Sequence, residues 1–403
     1  MSSAEPESNI IPTVSLLNDQ EAIERVFTHI DNGTTDLGDT VWQEPVENYH
    51  SQERFDAEIA LLRSLPIPFC PSAALPEQGS YIARKSAGTP LVVARGKDGK
   101  VRAFINACRH RGMQIASGTG RANGFVCPYH AWSYNREGEL IGILSNKDFG
   151  DIDKSCYGLT ELPCLERAGL IWVTTDPKSK LDISTFLSGY DELLAHFGFE
   201  SWHHFDSQIV PGPNWKIAYD GYMDLYHLPI LHKDTFGADF PNKALYYKWG
   251  PHQRVSGPDA SLSAYEDLPE AEWPTEHLIS GVWTIFPHVS IAGFDGGGRA
   301  VMISQLFPGD TPETSFTIQN YVMEKAPNEE EAAAAREQFK FLRYVVEEED
   351  YATGIKQQHA LRTGAKDHIL FGRNEGGGHD FHQWVDTLLE TADEDLEKLF
   401  TTG

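Results

Sequence analysis

Basic residues are scarce in this 403-residue chain: 33 Lys and Arg stand against 59 Asp and Glu, a formal net charge of −26 at pH 7. A field of that sign repels a phosphate backbone and an anionic membrane surface, so neither nucleic acid nor a membrane is an expected partner. No apolar run approaches the roughly 18 residues that a spanning helix needs. The opening stretch, MSSAEPESNIIPTVSLLNDQ, has neither a basic nor a continuous apolar segment, and a cytoplasmic location is the expectation. Cysteine is rare and odd in number, five residues, which argues against a disulfide framework and leaves reduced thiols or metal ligands. Internal repeats are missing, and so is any strand-linked Gly-x-Gly-x-x-Gly that would mark a dinucleotide site.

What is present reads as a composite of more than one domain. Apolar residues at Ile23, Val26, Phe27 and Ile30 have helical spacing over 17–30, a second short helix is expected over 51–64, and residues 1–13 are expected to fray. From Pro66 to about Asp176 the texture is short β runs separated by turn signals, the mark of a small antiparallel β domain. Strands are expected at 281–294, 299–307 and 314–323, followed by a long helix over 328–362. A helix after hairpin strands suggests an α+β domain, and the polar stretch Pro177-Lys-Ser-Lys marks the boundary.

Cys108-Arg-His110 is followed after sixteen residues by Cys127-Pro-Tyr-His130. Two thiolates and two imidazoles in a pair of short loops point to metal. Zinc modules commonly pair Cys with Cys and His with His, whereas here each loop supplies one of each. That suits a Rieske [2Fe–2S] cluster, in which one iron takes two thiolates and the other two imidazoles. A second concentration of ligands lies at Asp220, Asp224, His227 and His232. Asp220, Asp224 and His227 fall at i, i+4 and i+7, one face of a helix that Pro229 would end, letting His232 swing back. Two His call for a carboxylate to complete the facial triad of a non-haem Fe(II) site. Leu342, Val346 and Asp350 are spaced by four on the C-terminal helix, which puts Asp350 on an apolar stripe where it needs a cation or a donor. Glu349 is the adjacent competitor. The expected pocket walls are Asp220, Leu228 and Phe236 on one side and Phe286, His288 and Phe294 opposite.

Asn106-Ala-Cys-Arg-His-Arg-Gly112 and Cys127-Pro-Tyr-His-Ala-Trp-Ser-Tyr134 resemble the Rieske domain of the Rieske non-haem iron oxygenases, the aromatic ring-hydroxylating α subunits. The run Asp220-x3-Asp224-x2-His227-x4-His232 is similar to their mononuclear iron motif, and Glu349-Asp350 to their third ligand position. Respiratory-type Rieske proteins carry a further cysteine in each loop; here those places hold other residues, Tyr129 among them. The resemblance extends from about residue 40 to 385 and includes Arg373-Asn-Glu-Gly and His379-Asp-Phe-His382. It implies an N-terminal helical segment (1–64) packed on the catalytic domain, a Rieske domain (65–180), and a helix-grip catalytic domain (181–403) with an antiparallel sheet around a long helix. It further implies a [2Fe–2S] cluster on Cys108, His110, Cys127 and His130, and mononuclear Fe(II) on His227, His232 and Asp350.

By the same resemblance Asp224 is a catalytic bridge, hydrogen-bonded to His227 and to a cluster His of the neighbouring subunit in a head-to-tail homotrimer, with or without a β subunit. Only Cys70, Cys156 and Cys164 remain after the cluster ligands, too few for a plant-type ferredoxin centre. Electrons from NAD(P)H are therefore expected through a separate flavin reductase, a ferredoxin, or both. The implied reaction uses O2 to hydroxylate a small aromatic substrate. Monooxygenation with oxidative demethylation is an alternative, and a pure Rieske electron carrier is a rival of another class.

Overall fold

The structure, a computed structural model, describes residues 20–237, 243–257, 264–269, 272 and 281–401. The stretch expected to fray, 1–13, lies outside the described residues. Helices occupy Gln20–Asn32 and Gln52–Ser64, close to the two expected spans, the second fixed at its start by Ser51, whose side chain accepts from the Arg54 backbone N–H. Arg54 reaches Asp386 of the helix Gly376–Glu390, and Glu58 holds the buried Lys216 and Trp215 of the helix Trp215–Asp220. This first part of the chain is thereby tied to elements that come more than 150 residues later.

Short antiparallel sheets then carry the Cys-His loops. A five-stranded sheet has the order Glu161–Leu162, Val101–Ile105, Thr89–Arg95, Ser80–Ser86, Gly118–Arg121, and a three-stranded sheet joins Gly124–Val126, Ser133–Asn135 and Leu140–Gly142. The loop with Cys108 leaves the first sheet, and the loop with Cys127 links two strands of the second. A third sheet pairs Leu170–Thr174 with both Cys164–Arg167 and Pro66–Pro71.

The remainder is built on a seven-stranded antiparallel sheet in the order His203–Gly212, Ser315–Met323, Ala300–Pro308, Val289–Phe294, Val282–Ile285, His252–Ser256, Leu245–Trp249. The strand Ala300–Pro308 is buried at every position, as expected of a central strand covered on both faces. The long C-terminal helix begins with a reciprocal cap between Asn328 and Glu331 and runs as Glu329–Tyr344. It widens to a π-helical turn over Val345–Tyr351, then continues as Ala352–Leu361. The architecture is α+β, with this helix lying across the large antiparallel sheet.

Three expectations need correction. The helix that was to carry Asp220, Asp224 and His227 on one face ends at Asp220, and residues 221–227 turn and bend before the short helix Leu228–Leu231. Asp224 is the local reason: its Oδ1 accepts from the backbone N–H groups of Tyr226 at 2.6 Å and His227 at 3.1 Å, a turn that competes with helix. Pro229 opens the following helix instead of closing the preceding one, a position where its missing N–H costs nothing. The strand expected over 281–294 is two strands, parted at Phe286-Pro287.

Candidate metal centres

Two loops of matching construction hold the first donor set. The Cys108 N–H donates to Met113 O and the Gly112 N–H to Cys108 O, each at 2.8 Å; the Cys127 N–H donates to Trp132 O at 2.8 Å and the Ala131 N–H to Cys127 O at 2.9 Å. The turn closes through a left-handed residue at the same place in each loop, Gly112 at φ 80° and Ala131 at φ 55°. Cys108 and Cys127 are both buried, and Tyr134 lies 3.3 Å from Cys108 Sγ while accepting from the Arg109 N–H. The His110 and His130 rings face each other edge to face at 4.7 Å between centroids. Their Nδ1 atoms are buried and have no hydrogen-bond partner. Orphaned ring nitrogens on two neighbouring histidines are costly unless a ligand takes them. Two buried thiols and two orphaned imidazole nitrogens are the donor set that a two-iron cluster of this kind takes.

The second donor set does converge. One atom each of His227, His232 and Asp350 lies within 4.8 Å of the others, the only such group among the described residues. His232 Nε2 is 3.0 Å from Asp350 Oδ1, and His227 Nε2 is 3.8 Å from the same oxygen. The opposite face of each ring is held by a carboxylate: His227 Nδ1 meets Asp224 Oδ1 at 3.0 Å, and His232 Nδ1 meets Glu349 Oε2 at 2.6 Å. Such contacts fix the Nδ1–H tautomer and aim both Nε2 lone pairs at one point, as metal-ligating histidines require.

A cavity of about 510 Å³ opens on this triad, within the range of small-molecule sites. Its walls include Asp220, Leu228, Phe236 and Phe294. Phe286 and His288 are elsewhere. They sit at the step between two strands, buried against Phe381 and Phe307 respectively, because the chain turns there instead of continuing the alternation that would have faced them to the cavity.

Two family models match. The Rieske [2Fe-2S] domain covers residues 66–156, and the catalytic domain of the ring-hydroxylating alpha subunit covers residues 199–391. The chain belongs to the Rieske oxygenase large subunits. The carnitine monooxygenase oxygenase subunit of Acinetobacter baumannii is 32% identical over 199 residues, 48% of this chain and 53% of that one. The large oxygenase component of the 2,4-dinitrotoluene dioxygenase system of a Burkholderia species is 35% identical over 172 residues, 41% of this chain and 38% of that one. The match thus spans about half or less of these relatives' length. A quaternary ammonium Rieske monooxygenase crystallised with L-carnitine superposes with a TM-score of 0.73 at 22% identity, over 87% of this chain and 97% of that one, which speaks to the fold.

Within this Rieske oxygenase subunit, two features escaped the sequence. Glu349 was weighed only as a rival to Asp350; its carboxylate instead joins His232 and the Thr235 hydroxyl, the latter at 2.9 Å. His379 stacks on Trp42 and His382 turns inward, fully buried. His382 Nε2 meets Asp220 Oδ1 at 2.9 Å and the Tyr49 hydroxyl at 3.0 Å, and Tyr49 donates to Asp220 Oδ2. Burial by itself would lower the His382 imidazole, but the Asp220 and Glu44 carboxylates outweigh it and hold it up at about 9. The sequence singled out two members of this cluster separately, Asp220 and His382 three residues after His379, and nothing in it joined them.

Proposed function

We propose that this chain is the terminal oxygenase of a multicomponent system, taking electrons from a separate flavin reductase or ferredoxin supplied by NAD(P)H and hydroxylating a small aromatic substrate with O2. Cys108, His110, Cys127 and His130 would hold the [2Fe–2S] cluster, and His227, His232 and Asp350 the mononuclear Fe(II). When bound, these centres supply one-electron transfer and O2 activation. The residues of the chain position and protect. Asp224 and Glu349 each hold one imidazole at Nδ1 and so orient the rings, and the apolar wall around Leu228, Leu342 and Phe294 excludes water from the reacting space.

The observation that carries the reading is the coexistence, in one chain, of a converging 2-His-1-carboxylate triad and a separate Cys-His pair of loops. An electron carrier has no use for the triad. Iron analysis separates the two, with about three Fe per chain for the oxygenase and about two for the carrier. Asp224 would pass electrons from the cluster of a neighbouring copy. All three of its hydrogen bonds fall on Oδ1, which leaves Oδ2 for a partner's imidazole, and the exposed Tyr129, Phe149 and Tyr157 beside the Cys-His loops, with Tyr226 and Ile230 beside Asp224, are apolar surface suited to cover. Screening aromatic compounds for NAD(P)H-coupled O2 uptake with a surrogate reductase, followed by mass spectrometry of the product, tests the activity; uptake that yields only peroxide with every compound would overturn it. Monooxygenation is a second reading, favoured by the carnitine monooxygenase relative. Labelled O2 decides it, one atom in the organic product against two.

A further inference from the structure

The floor of the cavity holds polar groups that the proposed reaction does not employ. Ser290 pairs with Ser304 and Ser304 with Gln319 across three neighbouring strands, and all three line the cavity. Each is nearly inaccessible, at 1, 2 and 1% exposure. The next cavity-facing row, Ala292 and Met302, is apolar. Over this polar row stands Tyr222, whose hydroxyl is sealed from solvent and meets no hydrogen-bond partner in bonding geometry, although Tyr351, Ser304 and Gln319 surround it. Burial pushes its phenol up to about 12, so it remains a neutral donor and acceptor. Gln319 Oε1 already accepts from Gln208 at 2.8 Å, which leaves its amide nitrogen as a donor.

A buried hydroxyl without a partner costs about 1–3 kcal/mol, which a polar atom docked beside Tyr222 would offset. The charge acting on Tyr222 is the Asp350 carboxylate. The one Lys or Arg among the described lining residues, Lys366, is an exposed residue ahead of the strand His368–Phe371. An anionic group on the floor would therefore find hydroxyl and amide donors but no lysine or arginine to clamp it. A hydrocarbon would cover the floor and leave its hydroxyls unpaired.

We propose that the substrate is a neutral, apolar-bodied molecule carrying a hydroxyl or carbonyl oxygen, which docks on Tyr222, Ser290, Ser304 and Gln319 and so sets which carbon is presented to the triad. This rests on the cavity being the substrate pocket. The test is equilibrium binding to the iron-loaded holoenzyme under anaerobic conditions without reductase, using naphthalene, 2-naphthol and 2-naphthoate as a matched set read by calorimetry. The naphthol is expected to bind at least about tenfold tighter than either of the others, and Tyr222→Phe and Ser304→Ala to cut that preference to about threefold or less, by weakening naphthol binding and without weakening naphthalene binding. Retention of the cluster spectrum shows that the variants are folded. Equal or tighter binding of naphthalene or naphthoate, binding by none of the three, or a preference that survives both substitutions would overturn the proposal. Because no turnover is required, a failure of O2 activation defeats the proposed activity while this binding result still stands or falls by itself.

Discussion

Glu349 and Asp350 are neighbours in sequence, yet they meet opposite nitrogens of one imidazole, Glu349 at Nδ1 and Asp350 at Nε2 of His232. A carboxylate on the outer nitrogen orients the ring, and a carboxylate on the inner side shares the metal, so the two substitutions should differ in kind. Asp350→Ala is expected to remove about one iron per chain and leave the visible spectrum of the cluster unchanged. Glu349→Gln should keep the iron but weaken its retention about 10- to 100-fold, measured by iron analysis after dialysis against a chelator. The reverse pattern would move the ligand by one position. At the other donor set, the orphaned Nδ1 atoms of His110 and His130 lead to a spectroscopic expectation. His110→Cys or His130→Cys should abolish the Rieske electron-paramagnetic signature, and a signature unchanged in both would remove these residues from the cluster.

Elements place these side chains by departing from regular geometry. Successive residues in an α-helix point about 100° apart; the π-helical turn Val345–Tyr351 is wider, and it brings both Glu349 and Asp350 to His232. Such turns recur at functional sites. The following helix is seated closely on Trp215–Asp220: a Cβ at Gly354 would stand 2.8 Å from Pro213 and 3.1 Å from Ile217. Gly354→Ala should therefore push the helix outward, costing about 1–3 kcal/mol and loosening iron retention, as followed by thermal unfolding and iron content; a variant as stable and as iron-rich as the parent would contradict this. His382 joins three more elements, meeting Glu44 of the strand Trp42–Pro45, Tyr49 and Asp220. Its folded value of about 9 lies above the ordinary 6.5. The stabilisation is thus complete below about pH 6.5 and is lost as pH rises through 9, a contribution on the order of 3 kcal/mol. Glu44, held down at about 2 chiefly by His382 against the opposing effect of burial, loses its share only as pH falls from the ordinary 4.5 through 2. The unfolding midpoint should fall between pH 7 and 9.5, and His382→Gln should be less stable at pH 6 with a flatter slope above pH 7. An equal slope in both proteins would rule out His382 as the source.

At the scale of the whole molecule, the candidate electron path predicts a closed assembly in which the cluster of one copy serves the triad of the next. Asp224→Asn preserves size but replaces an accepting oxygen with a donor. It should retain both metal centres and cluster reduction and lose most product formation, with the pre-reduced cluster staying reduced in the presence of substrate and O2. Mixed oligomers that combine Asp224→Asn chains with chains lacking a cluster should recover part of the activity, because a sound Asp224 and triad can then draw on a neighbour's sound cluster. No recovery, in oligomers shown to be mixed, would place the transfer within one chain.

The candidate donors were legible in the linear order of residues. Cys108, His110, Cys127 and His130 declare themselves because mixed Cys-His pairs at short spacing have few other uses, and Leu342, Val346 and Asp350 share a stripe whose apolar members make the carboxylate conspicuous. The strands before the long helix were legible as runs of apolar and β-branched residues between turn signals, even though Ala300–Pro308 is buried at every position and shows no alternation. Relationships that depend on chain segments meeting in space were not. Asp224 pulls the backbone into a turn where periodicity called for helix, and the step at Phe286-Pro287 takes Phe286 and His288 away from the cavity. Glu349 acquires its partner only when the π turn faces His232, and His382 becomes a charged buried group only because Glu44 and Asp220, 338 and 162 positions away, converge on it. Local pattern reports which face of an element is apolar; packing alone decides which polar groups share that interior, since an isolated buried charge is prohibitive and a paired one is not.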